Sequence, residues 1–520
     1  MQKNVLEYLE NSVKNFPNKI AFADENSAFT YAEFSNIAKK LAMKLSLEIN
    51  EINKPIVVFV DRNVESLIAF MGVLYSGNFY VPIDNKMPRE RIKKVLEQVD
   101  PRAIIYQNSD EIIIQELMHE SEENTLCNDT NKICKVNISS IIAEKNIEID
   151  EIYLQVKRKK ILDVDPVYVI FTSGSTGIPK GIVISHRSVI DFTDWMAETF
   201  RFSDKDIMGN QAPFYFDLSV KDIYTTLKCA ATTYIIPKKT LMFPTLLIDF
   251  LNDKKVTSLI WATSAFNLVS TSKVLQTKTL DTVDKVILGG EALLAKHLNA
   301  WKQAMPNIMY VNLYGPTEVT VDCTYYIIDR NFADDEAVPI GKACENKEVL
   351  LLNEELKEVA DGEPGEICVR GTGLAKGYFN DKDKTNEVFI QNPLNNYYPD
   401  IIYKTGDIGI RNKDGLIVFQ ARKDGQIKHM GYRIELGEIE RALNSFEKIN
   451  AAVCFYDETA RKIICVYEGE ADASEIIKHI QNIVPKYMYP NILKKYEKMP
   501  YNANGKIDRV KLKKEYFESI

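Results

Sequence analysis

An alternation of short apolar runs with longer amphipathic runs, from about Phe29 to Phe419, restricts the fold of this 520-residue sequence more than any other feature. PIVVFV at 55–60 is typical of a buried strand, VESLIAFMGVLYSG at 64–77 of a helix ending at Gly77, and FYVPID at 79–84 of a second strand. Similar strand-like runs occur at 103–106, 167–174, 232–237, 257–262 and 285–293. Because strands separated by helices form parallel sheets, the pattern predicts a layered α/β fold.

The pattern of predicted helices and strands changes twice towards the C-terminus. From about Val349, short β-type runs alternate with Gly and Asp, and KDG at 413–415 predicts a hairpin turn, which together indicate a small β-rich sub-domain. Beyond Asp424 the order is a helix, two strands, a helix and a polar tail. We therefore predict a large N-terminal domain at 1–423, built of layered α/β sub-domains plus the β-rich sub-domain, and a small α+β C-terminal domain at 424–520.

Composition and charge exclude several classes of protein. Apolar residues make up 45% of the sequence and charged residues 27%, and no apolar run is long enough to cross a bilayer. The N-terminal segment lacks the continuous apolar stretch of a signal peptide, so a cytoplasmic location is expected. A formal net charge of -8 argues against a nucleic-acid partner, and the basic clusters at 156–160 and 511–514 are expected to be solvated surface.

The cysteines are scattered and form no CxxC pair, which favours reduced thiols used in packing over a disulfide framework or a zinc site. We expect this of all eight: Cys127, Cys134, Cys229, Cys323, Cys344, Cys368, Cys454 and Cys465.

The segment YVIFTSGSTGIPKGIVISH, at 168–186, combines an apolar run with a loop suited to hold phosphate. Gly174 and Gly177 free the backbone to present N–H groups, and Lys180 adds a positive charge. Hydroxyl donors come from Thr172, Ser173, Ser175 and Thr176. The spacing differs from a Walker A loop, because Gly181 rather than Ser or Thr follows the lysine. GTGLAKG at 371–377 likewise departs from the dinucleotide fingerprint and is not expected to bind a nucleotide.

Several further turns carry single charged residues, each of which alone is typical of a solvated surface. Taken in order, the motifs resemble those of the adenylate-forming superfamily, in particular the amino-acid adenylation domains of nonribosomal peptide synthetases and the stand-alone D-alanine:carrier-protein ligases. The resemblance covers nearly the whole chain and rests on these motifs: FTYAEF at 29–34, LYSGNFYVPID at 74–84, FTSGSTGIPKG at 171–181, NLYGPTE at 312–318, GEICVRG at 365–371, LAKGY at 374–378, YKTGD at 403–407, ARKDGQIKHMGYRIELGEIE at 421–440 and NANGKIDR at 502–509.

This resemblance implies an ATP- and Mg²⁺-dependent enzyme that activates a carboxylate as an acyl-adenylate, releases pyrophosphate and passes the acyl group to a thiol. It implies that the loop from Thr172 to Lys180 holds the β- and γ-phosphates. Other nucleotide-site roles follow in the same way: Glu318 with Thr317 at Mg²⁺ and the α-phosphate, Tyr314 beside the adenine, Asp407 with Arg422 at the ribose, and Lys506 as the catalytic lysine at the attacking carboxylate.

The resemblance also implies roles for one residue in domain movement and for one residue in binding of the acceptor thiol. Asp424 is expected to be the hinge about which the C-terminal domain swings between the two half-reactions, and Gly431 is expected to line the thiol tunnel. The sequence departs from the usual motif at Ala421, where glycine is common, and at His429 and Met430.

FYFDLSVKDIY at 214–224 places Asp217 where amino-acid-activating members hold the substrate α-ammonium, although Asp217 is equally suited to cap the helix that follows. The remaining pocket residues expected from the resemblance are Leu218, Lys221, Ser264, Ile287, Gly289, Leu313, Val321 and Asp322. A Lys221 without a partner favours glutamate or a relative, whereas a Lys221 paired with Asp322 closes the pocket around alanine or serine. D-Alanine ligases tend to have cysteine in place of Gly289.

Only fourteen residues follow Lys506, so the expected acceptor is a separate carrier protein bearing phosphopantetheine, with coenzyme A as the lesser alternative. Three other functions remain open. The first is a D-alanine:carrier-protein ligase of cell-wall esterification, which Gly289 weakens but does not exclude. The others are an acyl- or aryl-CoA ligase, which Asp217 opposes, and an adenylation-like binding module without catalysis, which the presence of the whole set of site residues opposes.

Overall fold

The computed structural model describes residues 2–123, 133–144, 146–174, 179–423, 425–500 and 507–518. The chain divides into two compact units. Unit 1 comprises Met1–Asn85, Val99–Ile170 and Gly181–Ala421, and unit 2 comprises Lys86–Gln98, Phe171–Lys180 and Arg422–Ile520. Among the described residues, no helix is both long and apolar enough to cross a membrane.

The strands, numbered in chain order, have the following bounds: β1 Ile20–Ala23, β2 Ala28–Thr30, β3 Pro55–Val60, β4 Phe79–Asp84, β5 Ala103–Tyr106, β6 Cys134–Asn137, β7 Pro166–Thr172, β8 Lys180–Ser185, β9 Ile207–Asn210, β10 Thr232–Ile235, β11 Ser258–Ala262, β12 Lys285–Gly289, β13 Met309–Tyr314, β14 Thr324–Ile327, β15 Lys342–Ala343, β16 Lys347–Leu352, β17 Pro364–Gly371, β18 Phe389–Gln391, β19 Ile401–Arg411, β20 Ile417–Arg422, β21 Gln426–His429, β22 Tyr432–Glu435, β23 Ile449–Asp457, β24 Lys462–Gly469 and β25 Ile492–Tyr496.

The α-helices have the following bounds: α1 Leu6–Asn15, α2 Tyr31–Glu48, α3 Val64–Tyr75, α4 Arg89–Val99, α5 Glu111–Glu123, α6 Ile138–Ala143, α7 Glu151–Lys159, α8 His186–Thr199, α9 Leu218–Cys229, α10 Lys238–Met242, α11 Pro244–Asp253, α12 Thr263–Thr271, α13 Ala295–Ala304, α14 Lys382–Val388, α15 Leu436–Asn444, α16 Ala473–Ile480 and α17 Arg509–Glu518.

Two large sheets form the α/β part of the chain. The first has the strand order β15-β14-β13-β12-β11-β9-β10-β1-β2, and the second has the order β6-β5-β3-β4-β7-β8. The neighbours from β13 through β12, β11, β9 and β10 to β1 run parallel, with helices connecting successive strands. The predicted α/β class with parallel strands is therefore confirmed, and β3, β4 and β5 have the same bounds as the apolar runs that predicted them.

Helices pack against these sheets through apolar residues of the expected 3.6-residue period. Phe34 and Leu41 of α2 and Ile68 of α3 belong to one large buried cluster together with Val58 of β3. A second cluster contains Trp261 of β11, Phe266 of α12 and Trp301 of α13, and the Phe266 and Trp301 rings stack with centroids 4.6 Å apart. These layers fix the edge of the first sheet on which the candidate site is built.

The β-rich part of unit 1 is an antiparallel sheet with the order β16-β17-β19-β18, in which β20 also pairs with β19. The turn between β19 and β20 contains Gly415 at φ 74°, a backbone conformation that glycine adopts without strain. The KDG hairpin expected at 413–415 is thus present.

The C-terminal segment of unit 2 contains the hairpin β21-β22 and a sheet of order β23-β24-β25. The sequence predicted α15, β23, β24 and α16, and its basic cluster at 511–514, expected on a helix surface, lies in α17. It missed β25, which pairs parallel with β24, because a strand such as ILKKY is recognisable only once its partner is known.

One expectation about cysteine is wrong. Cys454 and Cys465 form a disulfide, because the antiparallel register of β23 and β24 places them directly opposite each other. The expectation failed because spacing along the chain does not reveal cross-strand neighbours. Cys127 lies outside the described residues. The five remaining cysteines are free thiols: Cys134, Cys229, Cys323, Cys344 and Cys368.

Candidate active site

The expected substrate residues of unit 1 lie where parallel strands of the first sheet end. Gly289 is the last residue of β12, Leu313 and Tyr314 end β13, and Ser264 lies two positions beyond β11. Asp217 lies in the segment between β9 and α9. The carboxyl ends of parallel strands form the usual ligand-binding edge of an open α/β sheet, so the fold brings these residues to one edge.

Asp217 occupies the N-cap position of α9 but does not act as its cap. The residue has helical backbone angles, φ -63° and ψ -26°, and its side chain makes no capping hydrogen bond. Its carboxylate also acts on a buried tyrosine: burial raises the pKa of the Tyr168 hydroxyl, and the charges of Tyr80 and Asp217 add to the effect. The capping explanation of Asp217 is therefore wrong.

Lys221 and Asp322 form an ion pair inside the expected pocket. The Lys221 Nζ atom lies 2.7 Å from Asp322 Oδ2, and the two side chains are 0% and 2% exposed. Neither atom makes a hydrogen bond of regular geometry with any described residue, so the contact is electrostatic rather than directed. Of the two arrangements open from the sequence, the structure contains the one in which Lys221 is paired.

Gly289 leaves the space into which the Lys221 ammonium reaches. A Cβ atom added at Gly289 lies 3.1 Å from Lys221 Nζ, 3.4 Å from Asp322 Oδ1 and 3.5 Å from Leu313 Cβ. A larger residue at this position therefore crowds the ion pair. Ser264, which is also expected in the pocket, is half-buried. The apolar residues expected in the pocket are all buried: Leu218, Ile287, Leu313 and Val321.

The turn that carries Asp322 is strained. Thr320 and Val321 have φ values of 59° and 69°, which a β-branched residue rarely adopts. The chain also passes close to Gly315, where an added Cβ lies 2.4 Å from Asp322 Cα. Backbone strain of this kind persists only when neighbouring groups hold it.

Lys347 is the main brace of this turn, and the sequence did not identify it. Its ammonium donates to the carbonyl of Asp322 at 2.5 Å and to that of Val319 at 3.0 Å. Thr320 Oγ1 adds a hydrogen bond of 2.7 Å to the Gly373 carbonyl. A lysine at the start of a β-strand carries no local signal for this role, because its two acceptors belong to a distant turn.

Glu318 is fully buried in the short 3₁₀ helix that follows Pro316. Its Oε1 atom accepts a 2.8 Å hydrogen bond from the Tyr378 hydroxyl, and its carbonyl accepts one of 2.8 Å from the Ala375 amide. The glycine-containing segment at 371–377 thus braces the Glu318 turn. Thr317, the adjacent predicted residue, is also buried.

Tyr314 and Asp407, the residues expected at the adenine and the ribose, are in direct contact. The Tyr314 hydroxyl donates to Asp407 Oδ2 at 2.5 Å, and both residues are buried. Burial, together with the Asp407 charge, raises the pKa of the Tyr314 hydroxyl well above its usual value, so this hydroxyl remains a donor. The Asp407 amide donates to Thr405 Oγ1 at 3.0 Å, which orients the aspartate.

Unit 2 contains the predicted phosphate-loop residues. Of these, Thr172, Ser173, Gly174 and Lys180 are described, whereas Ser175, Thr176 and Gly177 lie outside the described residues. The Thr172 hydroxyl is buried and has no hydrogen-bond partner among the described residues, as expected of a group that serves a ligand.

Of the other predicted residues of unit 2, Arg422 and Gly431 are described. Arg422 Nη2 donates to Gln426 Oε1 at 2.7 Å. Gly431 has φ 83° in the turn between β21 and β22, after Met430 at φ 54°, which gives this glycine a local role in the hairpin. The expected hinge, Asp424, and the expected catalytic lysine, Lys506, lie outside the described residues.

The donor set fits Mg²⁺ that is held mainly by the phosphates of a nucleotide. The described residues contain no group of three His, Cys, Asp or Glu side chains suited to hold a metal ion. Mg²⁺ is commonly bound by one or two carboxylates together with substrate phosphates and water, and Glu318 is a carboxylate suited to such a site.

Comparison with known proteins agrees with this geometry. The family model described as AMP-binding enzyme matches residues 9–379, which include the pocket, the phosphate loop and Glu318. The chain belongs to this family. It is an adenylation domain of the adenylate-forming superfamily, whose members are AMP-forming ligases that use ATP.

Relatives of this adenylation domain include two synthases. It is 30% identical to Tyrocidine synthase 1 of Brevibacillus parabrevis over 98% of this chain, which corresponds to 44% of that protein. It is 31% identical to Zwittermicin A synthase ZmaJ of Bacillus cereus, over 98% of this chain and 94% of that protein. The chain thus spans less than half of the first relative and nearly all of the second.

The same fold occurs in holo-PA1221, an NRPS protein containing adenylation and PCP domains. The TM-score is 0.81 at 24% identity, and the match covers 98% of this chain and 84% of that one.

Proposed function

We propose that this adenylation domain activates an amino acid with ATP, forming aminoacyl-AMP and pyrophosphate, and then transfers the aminoacyl group to the phosphopantetheine thiol of a separate carrier protein. The observation that carries the proposal is Asp217. It lies at the ligand-binding edge of the first sheet and, although at an N-cap position, it does not cap α9. A carboxylate so placed gains most from a cationic ligand group, and the α-ammonium of an amino acid supplies one.

The substrate side chain is of alanine or serine size. The Lys221–Asp322 ion pair supports this choice over glutamate, because Lys221 is already neutralised by a carboxylate 2.7 Å away. An acidic side chain would have to displace Asp322 and leave it buried without a cation, which is costly. The two long side chains also fill the pocket beside Gly289.

The nucleotide is held by two groups of residues. Asp407 accepts hydrogen bonds from the ribose with Arg422 in support, and Tyr314 flanks the adenine while its hydroxyl fixes Asp407. Thr172 and Lys180, with the rest of their loop, bind the β- and γ-phosphates. Glu318 and Thr317 would hold Mg²⁺, which would supply positive charge to offset that of the leaving pyrophosphate. Lys506 brings the carboxylate and the α-phosphate together.

A carrier protein as the source of the thiol that accepts the aminoacyl group is supported by the similarity to these synthases. Zwittermicin A synthase ZmaJ is matched over 94% of its length at 31% identity. PA1221, which shares the fold, contains a PCP domain beside its adenylation domain. Coenzyme A is the alternative donor that the test must distinguish.

The test is amino-acid-dependent ATP–pyrophosphate exchange across the proteinogenic L-amino acids, D-alanine, D-glutamate and a few aryl and fatty acids. Asp217→Asn and Lys506→Ala are measured beside Asp249→Asn, a change of an exposed aspartate in unit 1. We expect exchange with alanine or serine, a loss of about a hundredfold or more in Lys506→Ala and Asp217→Asn, and no change in Asp249→Asn.

Four results would contradict the proposal. Pyrophosphate exchange with aryl or fatty acids alone would contradict the binding of an α-ammonium group by Asp217. Pyrophosphate exchange with glutamate alone would contradict the restriction of the pocket by the Lys221–Asp322 ion pair. Exchange with no acid at all leaves a binding module. Thioester formation with coenzyme A but not with a phosphopantetheinylated carrier protein replaces the proposed partner.

A further inference from the structure

A series of buried polar groups connects the Lys221–Asp322 ion pair with the carboxyl end of β9. Asp222 follows Lys221 in α9, and its Oδ2 atom accepts a hydrogen bond of 2.8 Å from Asn210 Nδ2 at the end of β9. Asn210 Oδ1 in turn accepts one of 3.4 Å from Arg62 Nη2. Because these groups lie inside unit 1, water and salt screen their charges only weakly. Four of them are at most 2% exposed: Asn210, Lys221, Asp222 and Asp322.

Arg62 is the fixed end of this series. It follows β3 of the second sheet, and its guanidinium donates to backbone carbonyls just where two strands of the first sheet end. Its acceptors include the Gln211 carbonyl at 2.8 Å and the Asn210 and Ile236 carbonyls, each at 3.0 Å. A guanidinium is always charged and holds its donors in a rigid fork. The position of Asn210, and through it that of Asp222, is therefore set by a cation from another sheet.

The charges of the series balance when Asp222 is ionised. Arg62 and Lys221 supply the positive charge, and the two aspartates, Asp222 and Asp322, supply the negative charge. Burial raises the pKa of the Asp222 carboxyl to about 7, against the hydrogen bond from Asn210 and the attraction of both cations. Above pH 7, Lys221 therefore has two carboxylates as electrostatic partners. A third carboxylate, on the side chain of a substrate, would be a buried anion without a cation, which is costly.

We propose that Asp222 is a specificity-determining residue of the amino-acid pocket, and that it excludes acidic substrates by its effect on Lys221. This inference rests on the proposed function and deepens it, because it concerns the side chain that the pocket accepts. Asn210 and Arg62 hold the Asp222 carboxylate in place. Asp222 is a positioning residue, since it acts through the charge of Lys221 and not by contact with the substrate.

The test compares two ligands that differ in charge but hardly in shape. Calorimetric titration at pH 8.5 measures the affinities of asparaginyl- and aspartyl-sulfamoyladenosine, which are stable analogues of aminoacyl-adenylates, with seryl-sulfamoyladenosine as the reference ligand. The ratio of aspartyl to asparaginyl affinity should be about tenfold higher in Asp222→Asn than in the unaltered chain. The matched control, Asp253→Asn, changes an exposed aspartate of unit 1 and should leave the ratio unaltered. A purely structural effect would change both affinities together, so an unchanged ratio in Asp222→Asn overturns the inference.

A second background tests whether Asp222 acts through Lys221. Lys221→Met combined with Asp322→Asn replaces both members of the ion pair, so that neither charge is left buried without its partner. In this background, Asp222→Asn should leave the ratio of aspartyl to asparaginyl affinity within about twofold of its starting value. A full tenfold shift would show that Asp222 acts on the ligand directly, and would contradict its role as a positioning residue.

A third measurement uses the unaltered chain and does not depend on any variant folding. The charges that act on Asp222 are those of Lys221 in the same helix and Arg62 beyond β3, and Asp322 in turn faces Lys221. Between pH 8.5 and pH 6 the Asp222 carboxyl gains its proton while the aspartyl side chain of the ligand stays ionised. The affinity ratio should therefore rise on acidification in the unaltered chain and stay constant in Asp222→Asn. A ratio independent of pH in the unaltered chain overturns the inference.

These readouts separate failure of the inference from failure of the proposed function. Tight binding of the seryl analogue with an unchanged ratio in Asp222→Asn retains the proposed function and rejects the inference. The predicted change in ratio, together with no pyrophosphate exchange for any acid, retains the inference and rejects the ligase activity. Failure of the unaltered chain to bind any of the three analogues rejects both.

Discussion

Three ionisable residues are buried next to one another around α9, an arrangement that is unfavourable unless function requires it. Lys221 and Asp322 compensate each other, whereas Asp222 accepts a side-chain hydrogen bond of 2.8 Å from Asn210 Nδ2 at its Oδ2 atom. Its Oδ1 atom has no hydrogen-bond partner among the described residues. Burial accordingly raises the pKa of the Asp222 carboxyl to about 7, against the attraction of Lys221 and Arg62.

Asp222→Asn is expected to stabilise the protein at neutral and alkaline pH. The folded state binds the Asp222 proton more tightly than the unfolded chain does, so wild-type stability falls as the pH rises from about 4 to about 7. The substitution removes this decline and raises the free energy of unfolding at pH 8 by on the order of 2 to 4 kcal/mol. Urea denaturation at pH 5, 6, 7 and 8 measures the difference.

The matched control for this prediction is Asp253→Asn, an exposed aspartate of the same unit, which should follow the wild-type profile. A constant difference between Asp222→Asn and wild type across the four pH values would contradict the assignment of the slope to Asp222.

At the level of elements, the turn between β13 and β14 determines the shape of the pocket. It carries Asp322, and two residues with positive φ precede that aspartate. The turn is held from another sheet by Lys347, at the start of β16, whose ammonium is 3.0 Å from the Val319 carbonyl. The pocket wall is therefore only as rigid as the contact between two elements of unit 1.

Lys347→Met is expected to weaken amino-acid binding more than ATP binding. The methionine keeps an apolar chain of similar length but donates no hydrogen bond, so two buried carbonyls lose a donor and the free energy of unfolding falls by about 1 to 3 kcal/mol. Relaxation of the turn displaces Asp322, and the KM for the amino acid rises at a nearly constant KM for ATP. Pyrophosphate exchange at varied amino acid and ATP concentrations measures both constants.

Lys357→Met provides the comparison for this change, because Lys357 is exposed and pairs with the exposed side chain of Glu355. A parallel rise of both KM values in Lys347→Met would indicate general unfolding rather than loss of the turn.

The elements differ in how far the sequence predicted them. The strands at 55–60, 79–84 and 103–106 were predicted with their observed bounds, because a fully buried parallel strand is a continuous apolar run. The bracing of Glu318 by Tyr378 and of the Asp322 turn by Lys347 had no local signal. Both depend on residues that become neighbours only after the β-rich sheet has formed.

Considered as a whole, the chain has separate hydrophobic cores. The clusters around Phe34 and Trp261, with the residues that pack against them, extend no further along the chain than Leu416, whereas two clusters of the C-terminal segment contain only residues after 426. The Cys454–Cys465 disulfide joins two strands of that C-terminal segment. Segments with their own cores and few shared residues are expected to unfold as separate cooperative units.

Differential scanning calorimetry is expected to resolve two transitions, of which only the smaller responds to dithiothreitol. Closing a loop with a sequence separation of 11 stabilises the C-terminal segment by about 3 kcal/mol, so reduction should lower its midpoint by about 10 °C or more. The larger transition serves as the internal control. A single transition, or an equal shift of both, would contradict independent cores.

The sequence by itself determined the α/β class and the order of the motifs and predicted part of the candidate site, because buried strands and glycine-rich turns have local signals. The tertiary structure decided which residues interact: Lys221 with Asp322, and Lys180 with Glu435. It also decided that Cys454 faces Cys465. Pairings of this kind depend on strand register and on the packing of distant segments, and neither is encoded in any single stretch of the chain.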